Sequence, residues 1–294
     1  MKPVHVGVVD APLTVLGEGP MWSVAEGVLY WIDIVGRCVL KLSPETGKVD
    51  VRPLPYAPSA VIPRANGGLL LVTKKGMATF EFDKPEIHSI PVSIVDFEKE
   101  VFNDAKCDIF GRLWVGTRDL HVKEPNGGLF CMDIDFSWQR QGSGFVVSNG
   151  IAWSPNGRLM YHVDSKPGRI DVCDFDPEHG AVSNRRPWID YAKNGSAVIP
   201  DGCAIDAEGG LWVAEVGDWH VRRYGPDGKL DREIRVPMQK PTSVMFGGRD
   251  LSTLFVTSMQ FGLAPDQLLA QPQAGALLQL DVGVKGLPEH MFAG

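Results

Sequence analysis

Apolar and polar positions along this chain repeat one short phrase six times. Leu29-Tyr30-Trp31-Ile32-Asp33, Leu69-Leu70-Leu71-Val72-Thr73, Leu113-Trp114-Val115-Gly116-Thr117, Leu159-Met160-Tyr161-His162-Val163-Asp164, Leu211-Trp212-Val213-Ala214-Glu215 and Leu254-Phe255-Val256-Thr257-Ser258 are short apolar runs, mostly entered from a glycine-containing turn. Their length and bounding turns predict buried β-strands. Behind each run a second strand pair is expected around a turn: Val39 to Asp50, Met77 to Ile87, Gly128 to Trp138, Arg169 to Asn184, Val221 to Ile234 and Ala276 to Leu287. A period of roughly 40 to 50 residues is the mark of a propeller or solenoid, because one such unit cannot bury its own faces. The pattern predicts an all-β, six-bladed β-propeller occupying residues 1–294 as one domain. Val6 to Val15 precede the first copy and lack a partner within it; closure predicts that they pair with the last blade, since an unpaired sheet edge is a liability.

The punctuation agrees. Gly and Pro number 33 and 22 and gather at turns such as Pro44-Glu45-Thr46-Gly47, Pro155-Asn156-Gly157 and Pro226-Asp227-Gly228, the chemistry of chain reversal. No linker rich in Ser and Pro divides the chain. A net charge of −7 offers no basic face and argues against a nucleic-acid partner. No apolar run is long enough to span a bilayer, and His5 and Asp10 interrupt the N-terminal apolar residues, so neither a membrane nor a secretory signal is expected and the cytoplasm is the expected location. Cys38, Cys107, Cys131, Cys173 and Cys203 are odd in number, scattered and free of C-x-x-C spacing. They read as thiols rather than as a disulfide framework or a zinc cluster.

Candidate chemistry follows from the register of the repeat. About ten residues before each leucine-initiated run, equivalent positions on the preceding strand fall at Glu18, Ser59, Asn103, Asn149, Asp201 and Thr242, and in a propeller these innermost strands line the axis. All six bear oxygen. Carboxylates and carboxamides brought together there would repel and stay under-satisfied unless a cation sat among them. An all-oxygen set suits calcium, magnesium or manganese and argues against thiolate zinc.

The same positions carry a resemblance. Leu16-Gly17-Glu18-Gly19-Pro20-Met21-Trp22, Phe102-Asn103-Asp104, Gly111-Arg112-Leu113-Trp114-Val115-Gly116-Thr117, Ser148-Asn149-Gly150-Ile151-Ala152-Trp153-Ser154 and Pro200-Asp201-Gly202 resemble the gluconolactonase/regucalcin (senescence marker protein) family over essentially the whole chain. The resemblance implies a six-bladed propeller with one divalent cation near its axis and an activity on lactones of sugar acids. It implies Glu18, Asn149 and Asp201 as metal ligands, Asp201 as general base, and Asn103 as a substrate contact or further ligand. Calcium, magnesium, manganese, zinc and iron all remain open for the cation, as does monomer or homo-oligomer for the assembly. The partner implied is a small-molecule lactone.

One departure bears on the substrate. Where the family commonly has Asn-Arg-x-Asn-Asp, this chain has Glu100-Val101-Phe102-Asn103-Asp104, so Val101 stands in the arginine's place and a forked hydrogen-bond donor is lost. Either the site favours a less hydroxylated lactone, or another cation, Arg118 or Lys99, substitutes. His121, Trp219, His220 and Phe261 lie on loops expected to cover the same mouth, which favours an apolar or aryl-bearing lactone, with the two histidines as possible proton shuttles. The leading expectation is a metal-dependent lactone hydrolase working by carbonyl polarisation and an activated water. The alternatives are an organophosphorus ester hydrolase on the same metal, and a calcium-binding or interaction propeller without turnover.

Overall fold

The computed structural model describes residues 4–193, 195 and 198–294. After β1 (Val6–Val8), the first blade is β2 (Gly17–Ser23), β3 (Val28–Asp33), β4 (Cys38–Ser43) and β5 (Lys48–Pro53), and the second is β6 (Pro58–Pro63), β7 (Leu69–Thr73), β8 (Gly76–Phe80) and β9 (Ile87–Ile90). The third is β10 (Glu100–Cys107), β11 (Leu113–Asp119), β12 (Gly127–Met132) and β13 (Trp138–Phe145), and the fourth is β14 (Ser148–Trp153), β15 (Leu159–Asp164), β16 (Arg169–Asp176) and β17 (Ala181–Asp190). The fifth is β18 (Ile199–Ile205), β19 (Leu211–Val216), β20 (His220–Tyr224) and β21 (Leu230–Arg235); the sixth adds β22 (Pro241–Gly247), β23 (Thr253–Ser258), the short helix α1 (Pro265–Ala270) and β24 (Leu278–Asp281). Each blade is a four-stranded antiparallel sheet, a meander in the first five, and the first strand of each touches the first strand of the next, from β2 round to β22 and back to β2. This is the six-bladed propeller that the repeat predicts.

One part of the repeat reads differently. The segment Ala276 to Leu287 supplies only β24; the outermost strand of the sixth blade is β1, with Val6 opposite Leu280 and Val8 opposite Leu278. Val9 N–H donates to the Leu277 carbonyl at 2.9 Å, and Thr14 N–H to the Gly275 carbonyl at 2.9 Å. The N-terminal segment therefore takes the edge that a sixth hairpin would have filled, and the chain beyond β24 crosses to the fifth blade, where Gly286 bridges Asp206. Closure by a strand from the other end of the chain covers the edge of β24 that would otherwise lie open.

Core packing explains the repeated Leu-Trp. Trp31, Trp114 and Trp212 are fully buried between blades, and the indoles of Trp114 and Trp212 donate to Asp108 Oδ2 and Asp206 Oδ2 at 2.9 and 2.8 Å. Each aspartate also takes backbone N–H groups of its turn and an arginine, Arg112 or Arg223, at 2.7 Å. A buried indole N–H and a buried carboxylate thus satisfy one another at the end of the propeller away from Glu18.

Candidate metal centre and active site

Antiparallel pairing sets which end of the propeller carries chemistry. Glu18 lies opposite Ile32 and Gly17 opposite Asp33, so the starts of the inner strands share one face with the loops that follow the second strands. Aspartates at the ends of those second strands hold the incoming chain in place. Asp33 accepts from Val15 and Leu16 N–H at 2.8 and 3.1 Å, and Asp164 from Val147 N–H at 3.0 Å. Each inner strand then breaks register at the equivalent place, between Glu18 and Met21, Pro58 and Ala60, Phe102 and Ala105, Asn149 and Ile151, Pro200 and Cys203, and Pro241 and Ser243. A bulge re-aims side chains out of the alternating pattern, and here it does so six times around one axis.

The six equivalent polar residues divide by what they bond. Ser59 Oγ donates to the Phe102 carbonyl at 3.0 Å, Asn103 Nδ2 to the Ser148 carbonyl at 3.1 Å, and Thr242 Oγ1 to the Gly17 carbonyl at 2.6 Å. Each clasps the next blade at the residue just before that blade's own equivalent position. Ser59 and Thr242 are consumed by this stitching; Asn103 keeps its Oδ1. Asn149 Nδ2 donates to Ser165 Oγ at 3.1 Å and directly contacts Asp201 Oδ1. Glycine makes the approach possible: a Cβ on Gly150 would stand 2.6 Å from the Asp201 carbonyl, and Gly19 adopts φ +49°, a conformation that costs little without a side chain.

Electrostatics single out Glu18 and Asp201. Asn149 and Asp201 are each 8 % exposed; Glu18 keeps some accessible surface in the channel although protein surrounds it. Burial raises the Glu18 carboxyl well above its ordinary value, and the charges of Asp201 and Asp104 raise it further. Asp201 is raised likewise by burial and then by Asp104. Asp104, just past Asn103 in the bulge, is pushed up to about 6 by burial, against the pull of Lys106. No cationic side chain pairs with Glu18 or Asp201 among the described residues. Beneath them a cavity of about 10 Å3, room for about one water, is lined in part by Gly19, Asp104, Lys106 and Ser243. Lys106 Nζ closes its floor, donating to the Cys203 carbonyl at 3.3 Å and to Glu289 Oε1 of the C-terminal segment at 3.1 Å.

These residues fit a hard divalent cation. Two buried, mutually repelling carboxylates have a deficit of positive charge, and adjacent carboxamide oxygens complete an oxygen donor set. No three His, Cys, Asp or Glu side chains group as a metal cluster among the described residues, so the fit depends on Asn149 as well as on Glu18 and Asp201.

The remaining candidates are placed less centrally. Val101 is buried, 2 % exposed, and lies opposite Arg118 in the β10–β11 ladder. The Arg118 guanidinium donates from Nη1 to the carbonyls of Asp119 and Leu120 at 2.9 and 3.3 Å. Lys99 is paired with Asp96 at 3.1 Å. His121 sits in the β11–β12 loop, its N–H held by Asp119 Oδ2 at 3.1 Å, and Phe261 is exposed beyond β23. Trp219 and His220 engage the outer part of their blade: Arg235 of outermost strand β21 lies over the Trp219 ring at 5.3 Å, and His220 engages Asp218 with its Nε2 3.7 Å from Glu233 of the same strand. The outer strand of their own blade thus offers both rings charged partners. Sequence reading missed Asp104, whose approach to the axis depends on the bulge, and the Lys106–Glu289 pair, whose members are remote in the chain.

A ring of six bulged inner strands converging on two unpaired carboxylates and two carboxamides defines a six-bladed propeller with an axial oxygen-donor site. The chain belongs to the SMP-30/Gluconolactonase/LRE-like region family, which it matches over residues 16–260. It is 33 % identical over 301 residues to regucalcin of Xenopus laevis, covering 100 % of both chains. It is 34 % identical over 282 residues to a 6-deoxy-6-sulfogluconolactonase of Pseudomonas putida, covering 96 % of each. Among solved structures it resembles a calcium-binding protein, regucalcin, of Agrobacterium tumefaciens, with TM-score 0.93 and 28 % identity over 99 % of this chain and 98 % of that one.

Proposed function

We propose that this protein is a divalent-cation-dependent lactonase, with Glu18, Asn149 and Asp201 holding the cation, Asp201 acting as general base and Asn103 contacting substrate. The observation that carries the reading is that buried Glu18 lies in the field of Asp201 while no cationic side chain pairs with either among the described residues. The lactonase activity named for the Pseudomonas putida relative supports the reaction class, and the calcium-binding description of the Agrobacterium tumefaciens protein supports the cation.

A divalent cation held by Glu18, Asn149 and Asp201 would supply Lewis acidity toward the lactone carbonyl and toward a water. The chain's own groups do the rest. Asp201 accepts the proton of the attacking water, and its position is fixed by contact with Asn149. Asn103, held through Nδ2 on the Ser148 carbonyl, offers Oδ1 to a substrate hydroxyl. Water adds to the carbonyl, the ring C–O bond breaks, and the released oxygen takes back a proton to leave a hydroxy acid. Asp104 and the Lys106–Glu289 pair close the channel below and confine water to the mouth.

The test is acid release from a lactone panel by protein stripped with a chelator and reloaded with single defined cations. Turnover restored by a cation and absent without it supports the proposal. Full turnover in the stripped protein contradicts it, and stoichiometric cation binding with no turnover on lactones or organophosphorus esters would assign the fold to binding alone.

A further inference from the structure

Two cations at the mouth form no side-chain ion pair among the described residues: no carboxylate acts on Lys74, and Arg118 feels the charge of Asp119 without a bond to its carboxylate. Lys74 occupies the tight turn between β7 and β8, and its carbonyl accepts from Phe102 N–H at 3.2 Å. That bond fixes the turn against β10 one residue before Asn103. Arg118, near the end of β11, faces Val101 across the ladder and so lies beside the same stretch; its partners are the carbonyls of Asp119 and Leu120. The neighbouring carboxylates are all otherwise engaged. Asp119 takes N–H groups of its own loop and the Asn126 amide at 2.7 Å, Glu100 takes Arg140 at 2.8 Å, and Asp96 takes Lys99. Partial burial and the charge of Arg118 lower the Lys74 pKa, which puts the two cations in one another's field. In a chain of net charge −7, a repelling cation pair beside a candidate active site favours the approach of an anion.

We propose that Lys74 and Arg118 form a subsite for an anionic substituent, a carboxylate, sulfonate or phosphate, carried by the lactone remote from its ring carbonyl. The inference rests on the lactonase reading. The axis itself is negative at Glu18, Asp104 and Asp201, so a charged substituent is repelled from it and is held at the rim between the second and third blades. A planar guanidinium fork beside a compact ammonium matches the oxygens of such a group. The two poles orient the substrate, with its ring over the axis and its anionic end on Lys74 and Arg118. Arg118 thereby takes over, from the facing strand, recognition that an arginine at position 101 would have supplied.

The experiment compares kcat/KM for glucono-lactone with that for its 6-phospho, 6-sulfo and uronic-acid counterparts, using cation-loaded protein. The wild type is expected to prefer at least one anionic lactone, with the preference shrinking as salt rises. The Lys74→Met variant, altered at an exposed turn, should lose about tenfold on that lactone and nothing on the neutral one. Lys229→Met makes the same change of net charge in a turn at the opposite end, where Lys229 is paired with Asp227 at 2.8 Å, and should leave both unchanged. Equal use of neutral and anionic lactones by the wild type, or equal loss on both in Lys74→Met, overturns the subsite. No turnover on any lactone overturns the lactonase reading instead. Titration calorimetry with 6-phosphogluconate against gluconate then reads the subsite alone: about tenfold weaker binding of the phosphate ester in Lys74→Met supports it, and unchanged affinity contradicts it.

Discussion

Replacing Asp201 with asparagine should stabilise the protein when no cation is bound and destabilise it, relative to wild type, when one is. In the metal-free state burial raises the carboxyl pKa values of Glu18, Asp104 and Asp201; the charge of Asp104 raises Glu18 and Asp201 further, and that of Asp201 raises Glu18. Asp104 alone, moved from 3.8 to about 6, corresponds to on the order of 3 kcal/mol against its ionised form. Asparagine at 201 removes a second carboxylate that burial penalises, together with its repulsion of Glu18, and still offers Asn149 an acceptor. The sign with pH is fixed by the raised pKa. Because the folded protein holds these protons more tightly than the unfolded chain, metal-free stability is greatest below about 4 as far as these groups are concerned, and falls as pH rises through about 6. Thermal melts in chelator at neutral pH should therefore place Asp201→Asn a few degrees above wild type, with the difference vanishing in acid. Adding a cation at a hundredfold excess over its Kd should contribute about 2.7 kcal/mol to wild type and much less to the variant. A lower Tm for Asp201→Asn in chelator at neutral pH, together with a wild type indifferent to cations, would refute the reasoning.

Further outcomes follow from the same structure. Glu18→Gln and Asp201→Asn should each lower lactone turnover by about a hundredfold or more while far-UV circular dichroism stays that of the wild type. Deleting the chain through Val9 strips the sixth blade of β1 and should cost roughly 2 to 4 kcal/mol, read as a lower Tm and a tendency to self-associate through the bared edge; an unchanged, monomeric melt would contradict the closure. Burial pushes Cys131 and Cys203 up to about 12 and Cys38 and Cys173 up to about 11, so near-neutral treatment with a mild thiol reagent should leave turnover intact. Trp219→Ala and His220→Ala should leave KM for lactones within about twofold of wild type, since both rings engage the outermost strand of the fifth blade; a large KM change would return them to the substrate.

The blades were legible because a buried strand announces itself by composition and period, and six copies reinforce one another. The sixth hairpin was not, because Val282, Val284 and Leu287 supply the apolar residues of a strand while the edge they would fill is taken by β1 from the far end of the chain. At the candidate site, register marks six equivalent positions, and the family resemblance implies Glu18, Asn149 and Asp201 among them as ligands. The same register overcounted: Ser59 and Thr242 are spent on blade-to-blade bonds to backbone carbonyls, which no side-chain pattern reveals. Asp104 reaches the axis through a bulge, and Lys106 meets Glu289 across most of the chain. Local sequence does not encode such meetings. Loop residues were the least legible, because Trp219 meets Arg235, a partner on the neighbouring strand.

The central claim is that the axial carboxylates hold one divalent cation, and anomalous diffraction from crystals soaked in manganese tests it most directly. The account predicts a single strong anomalous peak between Glu18, Asn149 and Asp201 in the wild type and its loss in the Glu18→Gln, Asp201→Asn double variant. A peak away from these residues, or an undiminished one in the double variant, would contradict it.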